Sequence, residues 1–565
     1  MWTKIFLLFF VFSFLFRTDY SFNQDLGRHL KLGEIILKTG AVPNTNLFSY
    51  TNPDFPFINT HWLFEVLIYL GQQTIGLQAL LTLKVIIFII SVWLILRIIP
   101  KENQALLLPA GFIFLHVLRE RIDLRPEIFS FLFTASTYYI LEKYLRGPTK
   151  LIYLLPAVQL IWINTHIYFF VGLILQAIFI IHKVYLNLRS HPTSGKLKML
   201  TITFVLSAVI SLANPNGLTG FLYPLNVTNN YGYTIVENQT MFLLESIGFV
   251  DPNFLFVKLI FGISALSLVI TVIKKRIVIK DILLLGFGTI LALMNVRSFP
   301  YLVFLSLPAV LANFGQIKFG GVFKVLTFIF GALVILESYF YLNGNYYLFR
   351  DDYNQPNLRL IESGKGALDF VMSSDLPGPI YNNFDIGSYI IYRGYPKYKV
   401  FVDGRPEGYP KEFFLDIYIP TESDFEKFKD LDKKWGFQTI IFSHTDQTPW
   451  GKAFLQSINK DKEFVTVYLD DFIIVLVKKE VADEKQLEVI DVNKLSSSNS
   501  KFENPRSYLN LSVFALNTNN PEAALNFTTS ALTLFPGSPI ANSLYLSLTG
   551  KQFSLFYSAA NKFFW

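Results

Sequence analysis

Apolar residues fall in long unbroken runs along this chain, with polar residues confined to the gaps between them. The first run, from Trp2 to Phe16, is followed at once by Arg17, Thr18 and Asp19. A membrane span needs about 20 apolar residues, fewer where a helix ends in a protein-lined recess. Runs near 77–97, 104–118, 127–145, 151–163, 168–186, 199–213, 254–273, 281–294, 300–315 and 321–342 therefore predict, with the first, eleven spans. No small-residue cleavage site follows the first run, so it is expected to be retained as a span. The segment 61–76, HWLFEVLIYLGQQTIG, is apolar enough to compete for a twelfth.

Charge in the short loops decides that competition. Arg97 with Lys101, then Lys143, Arg146 and Lys150, then Lys183, Arg189, Lys196 and Lys198 form three basic loops. Lys274, Lys275, Arg276 and Lys280 form a fourth, and Lys318 with Lys324 a fifth. With Lys4 inside and eleven spans, all five loops fall on the cytoplasmic side, as basic loops do. Counting 61–76 as a span would invert every one of them, so it is predicted to be a juxtamembrane helix at the outer surface. The amino terminus is then inside and the chain from residue 343 outside. Arg119, Arg121 and Arg125 fall outside against the rule, but they alternate with Glu120, Asp123 and Glu127, which points to a paired site.

From residue 343 the pattern changes. PIYNNF, YKVFVDG, QTIIFSH, EFVTVYL and FIIVLVKK read as strands, with Asp470-Asp471 as the turn between the last two. Helical stretches between them predict a small α/β domain over 343–480, a linker over 481–503 with a Ser/Asn-rich part, and tetratricopeptide-like helices over 504–565. In that tail, Ala523, Ala524 and Ala531 are candidate small packing positions and Pro536 a break. The expected fold is mostly α: a polytopic helical membrane domain over 1–342, an extracytoplasmic α/β domain and a short helical tail. Within the membrane part, 19–60 is the first outer loop and 214–253 a second large one.

Composition agrees and narrows the chemistry. The 565 residues are 52% hydrophobic and only 16% charged, against about 25% charged in soluble domains. The 57 Phe and 29 Tyr suit lipid-facing and interfacial surfaces. The net charge of +7 is spread over short loops rather than gathered on a face, which argues against nucleic acid as a partner. With no cysteine, disulfides, thiolate catalysis and Cys-ligated zinc are excluded. There is no phosphate-cradling glycine loop, no HExxH and no nucleophile elbow, and no pair of broken helices repeats in two halves.

The residues able to do chemistry collect on the outer side. Asp25 and His29 stand four apart in the first outer loop, on one helical face, where a carboxylate beside a histidine can deprotonate an acceptor hydroxyl. An ordinary helix-end charge with a solvated histidine explains the same pair. His61 and Glu65 repeat the spacing on the juxtamembrane helix. Arg121, Arg125 and Glu127, Asn164 and His166, Asn214 and Asn216, Glu237 and Glu245, and Arg297 all lie at outer span ends or in the second outer loop. Ionisable groups at membrane depth are costly and are usually paired or functional. Asp403, Arg405 and Glu407, in FVDGRPEGY, follow a predicted strand and suit either an internal ion pair in a turn or recognition of a ligand beside the membrane.

The arrangement resembles the C superfamily of integral membrane glycosyltransferases, the GT-C fold. The likeness lies in the first span followed by NQDLGRHLKLGEIILKTGAVPNTNLFSYT, the HWLFEV helix and the outer loop 214–253. More narrowly, DLGRHLKLGE, VPNTNLFSYT, HWLFEVLIY, LRPEIFSFLF, IWINTHIYFFVGL, NPNG, NVRSFP and NNFDIGSYIIYRGYPKYKVFVDGRPEGY resemble a bacterial branch of that superfamily up to about residue 480. The resemblance implies a polyprenyl-phosphate sugar as donor, inverting transfer on the outer face of the cytoplasmic membrane, and a glycan or protein acceptor. It makes Asp25 the general base, with His29 and Glu65 in support. Arg297, or Arg121 with Arg125, would neutralise the departing lipid phosphate. His61, Asn164, His166 and Glu245 are carried as substrate-binding positions, and Asp403, Arg405 and Glu407 as outer-domain recognition. Some relatives use a divalent metal ion and others none. Asn23 and Gln24 stand here where a second acidic residue is commoner, so no metal ligand is assigned. The competing readings are a non-catalytic membrane scaffold, with the helical tail holding a protein partner, and an envelope polysaccharide polymerase or ligase.

Overall fold

The computed structural model describes residues 2–100, 104–189, 194–227, 231–315, 322–495 and 501–551. Its contacts divide the chain into two compact units, and the division does not follow the linear order. One unit comprises Met1–Phe16, Ile58–Val227 and Thr234–Leu342; the other comprises Arg17–Phe57, Thr228–Tyr233 and Asn343–Trp565.

The first unit is helical, and each predicted span coincides with a helix. These are Trp2–Leu15, Leu77–Ile98, Gln104–His116, Glu127–Arg146, Leu155–Thr165, Phe170–Arg189, Ser194–Ile210, Pro252–Ile273, Ile279–Met294, Phe299–Phe314 and Val322–Leu342. Five helical stretches among the described residues are long and apolar enough to cross a bilayer, so this is a multi-pass membrane protein. Trp62–Ile75 is a helix, as predicted. Phe299–Phe314 is buried along nearly its whole length and packs against Ile279–Met294, Pro252–Ile273 and Gln104–His116. A helix apolar all round belongs in such a central position.

Two breaks in the helical unit share one design. Leu155–Thr165 stops at His166 and Ile279–Met294 stops at Asn295, both in extended backbone. Each is followed by a single 3-10 turn, Ile167–Phe169 or Val296–Ser298, before the next helix begins. The breaks bring polar residues to the ends of otherwise apolar helices. Several basic loop residues cap carbonyl ends left open by helices. Lys4 Nζ donates to Leu96 O at 2.5 Å, and Lys196 Nζ to Leu145 O at 2.9 Å. Lys101 and Lys318 lie outside the described residues, as do residues 496–500 of the predicted linker.

The second unit is α/β. Its sheet runs β1 (Ile380–Asn382), β2 (Thr439–Ser443), β4 (Ile473–Lys478) and β3 (Phe464–Leu469), in the order β1-β2-β4-β3. β1 is parallel to β2, and the other pairings are antiparallel. The β3–β4 turn forms where predicted, because Asp470 Oδ1 accepts from Phe472 N at 2.8 Å and Ile473 N at 2.7 Å. The predicted strand YKVFVDG does not join the sheet. Asn382 takes its place as partner: Phe401 N donates to Asn382 Oδ1 at 2.9 Å, and Asn382 Nδ2 donates to Val402 O at 2.7 Å. Val400 pairs instead with Ser49, its N donating to Phe48 O at 3.0 Å and its O accepting from Tyr50 N at 3.3 Å. A side chain and a distant loop thus satisfy this backbone, so no ladder is needed.

The first outer loop is therefore part of the α/β unit. Asp19 pairs in both directions with Arg359 and Ile361, each bond 2.9 Å. The helix Gly27–Thr39 packs on Gly387–Gly394 so closely that a Cβ on Gly27 would stand 3.0 Å from Tyr392 Cβ. At the carboxyl end, Pro505–Asn517, Pro521–Leu534 and Pro539–Thr549 each begin with proline after a capping Asn504, Asn520 or Ser538. Ala523, Ala524 and Ala531 are buried in their common core.

One buried acid shapes the stability of this unit. Glu422 is 1% exposed, and the hydroxyls of Tyr418 and Tyr381 are the donors that face its carboxyl. Burial, and then the nearby Asp446 charge, push its carboxyl well above the ordinary range. A carboxyl whose folded pKa is raised binds its proton in the fold more readily than in the unfolded chain, so stability falls as pH rises above the unfolded value of about 4.3. Glu422→Gln removes that penalty. Thermal unfolding of the full chain over a pH series is expected to show a flatter decline for the variant and a higher Tm at pH 8.

Candidate functional site

In the helical unit, Arg121 and Arg125 converge with the distant Arg297 on one carboxylate. Arg121 lies just past the 3-10 turn Val117–Glu120 and Arg125 just before Glu127–Arg146. Arg297 lies in the turn Val296–Ser298. Arg121 reaches Glu237 Oε2 at 2.8 Å, Arg297 reaches the same oxygen at 2.9 Å, and Arg125 reaches Oε1 at 3.1 Å. Glu127 stands 3.7 Å from Arg121. Three guanidiniums thus face the carboxylates of Glu237 and Glu127. Burial would raise the Glu237 carboxyl, but the charges of Arg121, Arg125 and Arg297 hold it well below the usual range. Glu237 sits on a turn tied down by Val296 N, which donates to Gln239 O at 3.0 Å.

A polar chain runs on from this cluster within the same unit. The Tyr168 hydroxyl and Ser298 Oγ share a hydrogen bond of 2.9 Å, next in sequence to Arg297. Tyr168 stacks on Tyr301 at 4.7 Å and on His166 at 5.3 Å. His166 Nδ1 is 2.7 Å from Ser130 Oγ, to which Trp162 Nε1 donates at 2.7 Å. The His61 ring lies 5.5 Å from that of His166. Glu65 is fully buried, accepting from Asn59 Nδ2 at 2.6 Å while Asn59 Oδ1 accepts from His61 N at 2.9 Å. Asn164 Oδ1 accepts from Trp62 Nε1 at 2.7 Å. Glu245 stands apart from this group on the helix Met241–Ser246, in a half-exposed pair with Lys258 at 2.5 Å.

In the α/β unit, Asp25 occupies a π-turn, Phe22–Leu26, that leads into Gly27–Thr39. Its Oδ1 accepts from Arg28 at 3.2 Å, and His29 is buried on the following helix. The DGR turn packs directly against this segment, since a Cβ on Gly404 would stand 3.0 Å from Gln24 O and 3.9 Å from Asp25 Oδ1. Asp403 and Arg405 form a fully buried bidentate pair, Nε to Oδ1 and Nη2 to Oδ2 both at 2.7 Å. Arg405 also donates to Asn46 Oδ1 at 2.7 Å and lies over Phe57 at 4.7 Å and Phe48 at 5.3 Å. Tyr409 donates to Asp403 at 3.0 Å. Burial would raise the Asp403 carboxyl, but Arg405 holds it below the ordinary range. Glu407 is half-buried, and its carboxyl is raised by that burial.

The structure thus brings together Arg121, Arg125 and Arg297 in one cluster, and His61, Asn164 and His166 in a neighbouring one. Sequence reasoning placed Glu237 in the second outer loop without pairing it with the arginines, and did not single out Arg28, Asn46, Asn59 or Tyr168. The sequence signal was the alternation of Arg119, Arg121 and Arg125 with acids, which pointed to a paired site without making Glu237 the partner. Among the described residues, no three of His, Cys, Asp and Glu converge as ligands for a metal ion.

Breaking the Asp403–Arg405 pair is expected to be severe, because Arg405→Ala strands a buried carboxylate at a cost of about 3–5 kcal/mol. Arg405→Lys keeps the charge but loses the bidentate geometry, and is expected to fall between the two. Chemical unfolding of the full chain in detergent, with protease cleavage within residues 44–57 as a local probe, checks both. Equal stability of wild type and Arg405→Ala would refute the clamp.

No protein-family model and no curated protein matches the chain. Among solved structures, it is similar to the archaeal oligosaccharyltransferase AglB from Archaeoglobus fulgidus, determined in complex with an inhibitory peptide and a dolichol-phosphate. The match has a TM-score of 0.56 at 12% identity and covers 95% of this chain and 86% of that one. At that identity the likeness concerns the fold alone: this chain has the polytopic helical membrane fold of that structure.

Proposed function

We propose that this protein is a membrane glycosyltransferase that moves a sugar from a polyprenyl-phosphate donor to a glycan or protein acceptor on the outer face of the cytoplasmic membrane. The observation that carries the reading is the convergence of Arg121, Arg125 and Arg297 on Glu237 in an otherwise apolar bundle. Fixed guanidiniums suit a phosphate, whose negative charge grows as the sugar leaves. The fold supports the same reading, since the similar AglB structure holds a dolichol-phosphate.

In the reaction, the acceptor oxygen attacks the anomeric carbon from the face opposite the phosphate, and the bond from that carbon to the phosphate oxygen breaks. The bonding pair stays on the phosphate, where the guanidiniums stabilise it. The acceptor proton passes to the Asp25 carboxylate, which Arg28 orients at 3.2 Å. Glu65 and His29 act through position: both are buried, and Glu65 fixes the start of the helix that carries it through Asn59. His61, Asn164 and His166 are the groups closest to the cluster that could bind the donor. In the outer unit, Asp403 and Arg405 are committed to each other, which leaves Glu407 for acceptor recognition. A divalent ion remains part of this proposal only as a component the acceptor or donor could bring.

Purified full chain in nanodiscs, supplied with radiolabelled polyprenyl-phosphate sugars, tests the assignment. Asp25→Asn is expected to lower kcat by about 10²–10⁴ while donor binding persists. Arg297→Gln is expected to lower kcat/KM by about 10²–10³ and to weaken binding of the free polyprenyl phosphate. Transfer by Asp25→Asn at the wild-type rate would remove the base assignment. A wild-type chain that neither binds nor transfers from any lipid-linked sugar would remove the enzyme reading.

A further inference from the structure

The turn that carries Glu237 leads into a segment whose outward side chains do not suit water. The helix Met241–Ser246 directs Met241 and Leu244 into the helical unit, where both are buried. Its outward positions and the residues after it include Phe242, Leu243, Ile247, Phe249 and Val250, all between 45% and 77% exposed. Single exposed apolar side chains are ordinary, but five grouped in one short segment mark a contact surface. The segment is well folded. Thr240 Oγ1 accepts from Leu243 N at 3.2 Å, and Gly248, at φ +84°, reverses the chain so that Phe249 N donates to Leu244 O at 2.9 Å. Asp251 then caps the helix Pro252–Ile273.

That helix identifies what covers the surface. It is long and apolar enough to cross a bilayer. Phe254, Val257 and Ile260 face the bundle, whereas Leu255, Leu259, Leu266 and Val269 form an exposed stripe, its lipid-facing side. Lys258 lies on the same stripe, six residues past Pro252, which is about 9 Å along the axis at 1.5 Å per residue. A cation at that depth is costly in lipid unless it is paired. Its partner is Glu245, at 2.5 Å, which comes from the apolar segment. To reach Lys258 the segment must lie down beside the first turns of the helix, so its exposed face continues the lipid-facing stripe.

We propose that residues 241–250 are an in-plane membrane anchor, seated in the phospholipid leaflet around the start of Pro252–Ile273, the outer leaflet in the topology read from the loop charges. Phe242, Leu243, Ile247, Phe249 and Val250 enter the boundary between headgroups and acyl chains, and the Glu245–Lys258 pair sets the depth. Amphipathic segments of this kind sink about 5–10 Å into that boundary, the range in which Lys258 stands along its helix. Glu237 lies four residues before Met241, and the bond from Val296 N to Gln239 O ties the stretch between them. Anchoring therefore also fixes the height at which Glu237 meets its arginines. Neither sugar donor nor acceptor takes part in it.

The chain has no cysteine, so a single introduced one carries a unique spin label. Full-length protein labelled at Ile247→Cys or Val250→Cys is placed in phosphatidylglycerol and phosphatidylethanolamine nanodiscs. Collision of the label with oxygen, which concentrates in lipid, is compared with collision with a water-soluble nickel chelate. Leu266→Cys on the lipid-facing stripe and Lys494→Cys, exposed in the α/β unit, are the lipid and water references. The oxygen-to-nickel ratio at 247 and 250 is expected to exceed that at 494 by at least about threefold and to approach that at 266. Glu245→Lys, which sets two cations side by side, is expected to lower the ratio at 247 toward the water reference. The charge swap Glu245→Lys with Lys258→Glu is expected to restore it. Ratios at both labels equal to that at 494 would make the segment a solvated loop and overturn the anchor. Labels shielded from both oxygen and nickel would place protein on this face, a second copy if dipolar broadening accompanies the shielding, and would overturn it as well. A ratio that Glu245→Lys leaves unmoved would overturn the depth-setting role of the pair.

Discussion

Arg405 is enclosed by Asp403, Asn46, Phe48 and Phe57, with no exposed surface of consequence. A guanidinium taken out of water is expensive, and attraction to one carboxylate offsets that cost only when geometry is good and the remaining donors are used. Here the pair is bidentate, a side-chain amide takes a further donor, and two aromatic faces cover the cation. Because Asn46, Phe48 and Phe57 come from the first outer loop, that loop cannot leave without stranding a buried charge. The position of Asp25 follows from this, since the same loop carries it against the Gly404 turn.

The helical unit obeys the same rule with different parts. Charges at the ends of apolar helices persist only with partners, and here three cations share one carboxylate drawn from the loop between two spans. A second network, Glu142 with Lys280 and Arg146, follows the same rule. The breaks at His166 and Asn295 make the arrangement possible. A continuous helix would carry Arg297 around the axis by 100° per residue, whereas an extended residue followed by a 3-10 turn presents it at the helix end.

Function in this protein is thus divided by chemistry. The helical unit supplies cations, which suit a lipid phosphate. The α/β unit supplies a carboxylate oriented by an arginine, which suits proton removal, and a half-buried Glu407 beside it in sequence from the clamp. Neither set is local in sequence, and each is held by contacts whose cost of rupture is an unpaired buried charge.

What the amino-acid sequence determined by itself was local. Eleven apolar runs became eleven helices because a chain in lipid must bond its own backbone, and a helix is the solution available to one segment. The Asp470 turn and the Pro-initiated helices of the tail formed where predicted, since their capping bonds span two or three residues. That Arg121 and Arg125 belong to a paired site was legible in the acids that alternate with them; that Arg297 joins them was not. Tertiary structure decided the rest: that Glu237 is their shared partner, that YKVFVDG bonds to Asn382 and to residues 48–50 instead of entering the sheet, and that residues 17–57 belong to the α/β unit. These depend on groups separated by up to 359 positions, as in the Asn46–Arg405 bond, and no periodicity or spacing in the chain encodes which distant donor will meet which buried acceptor.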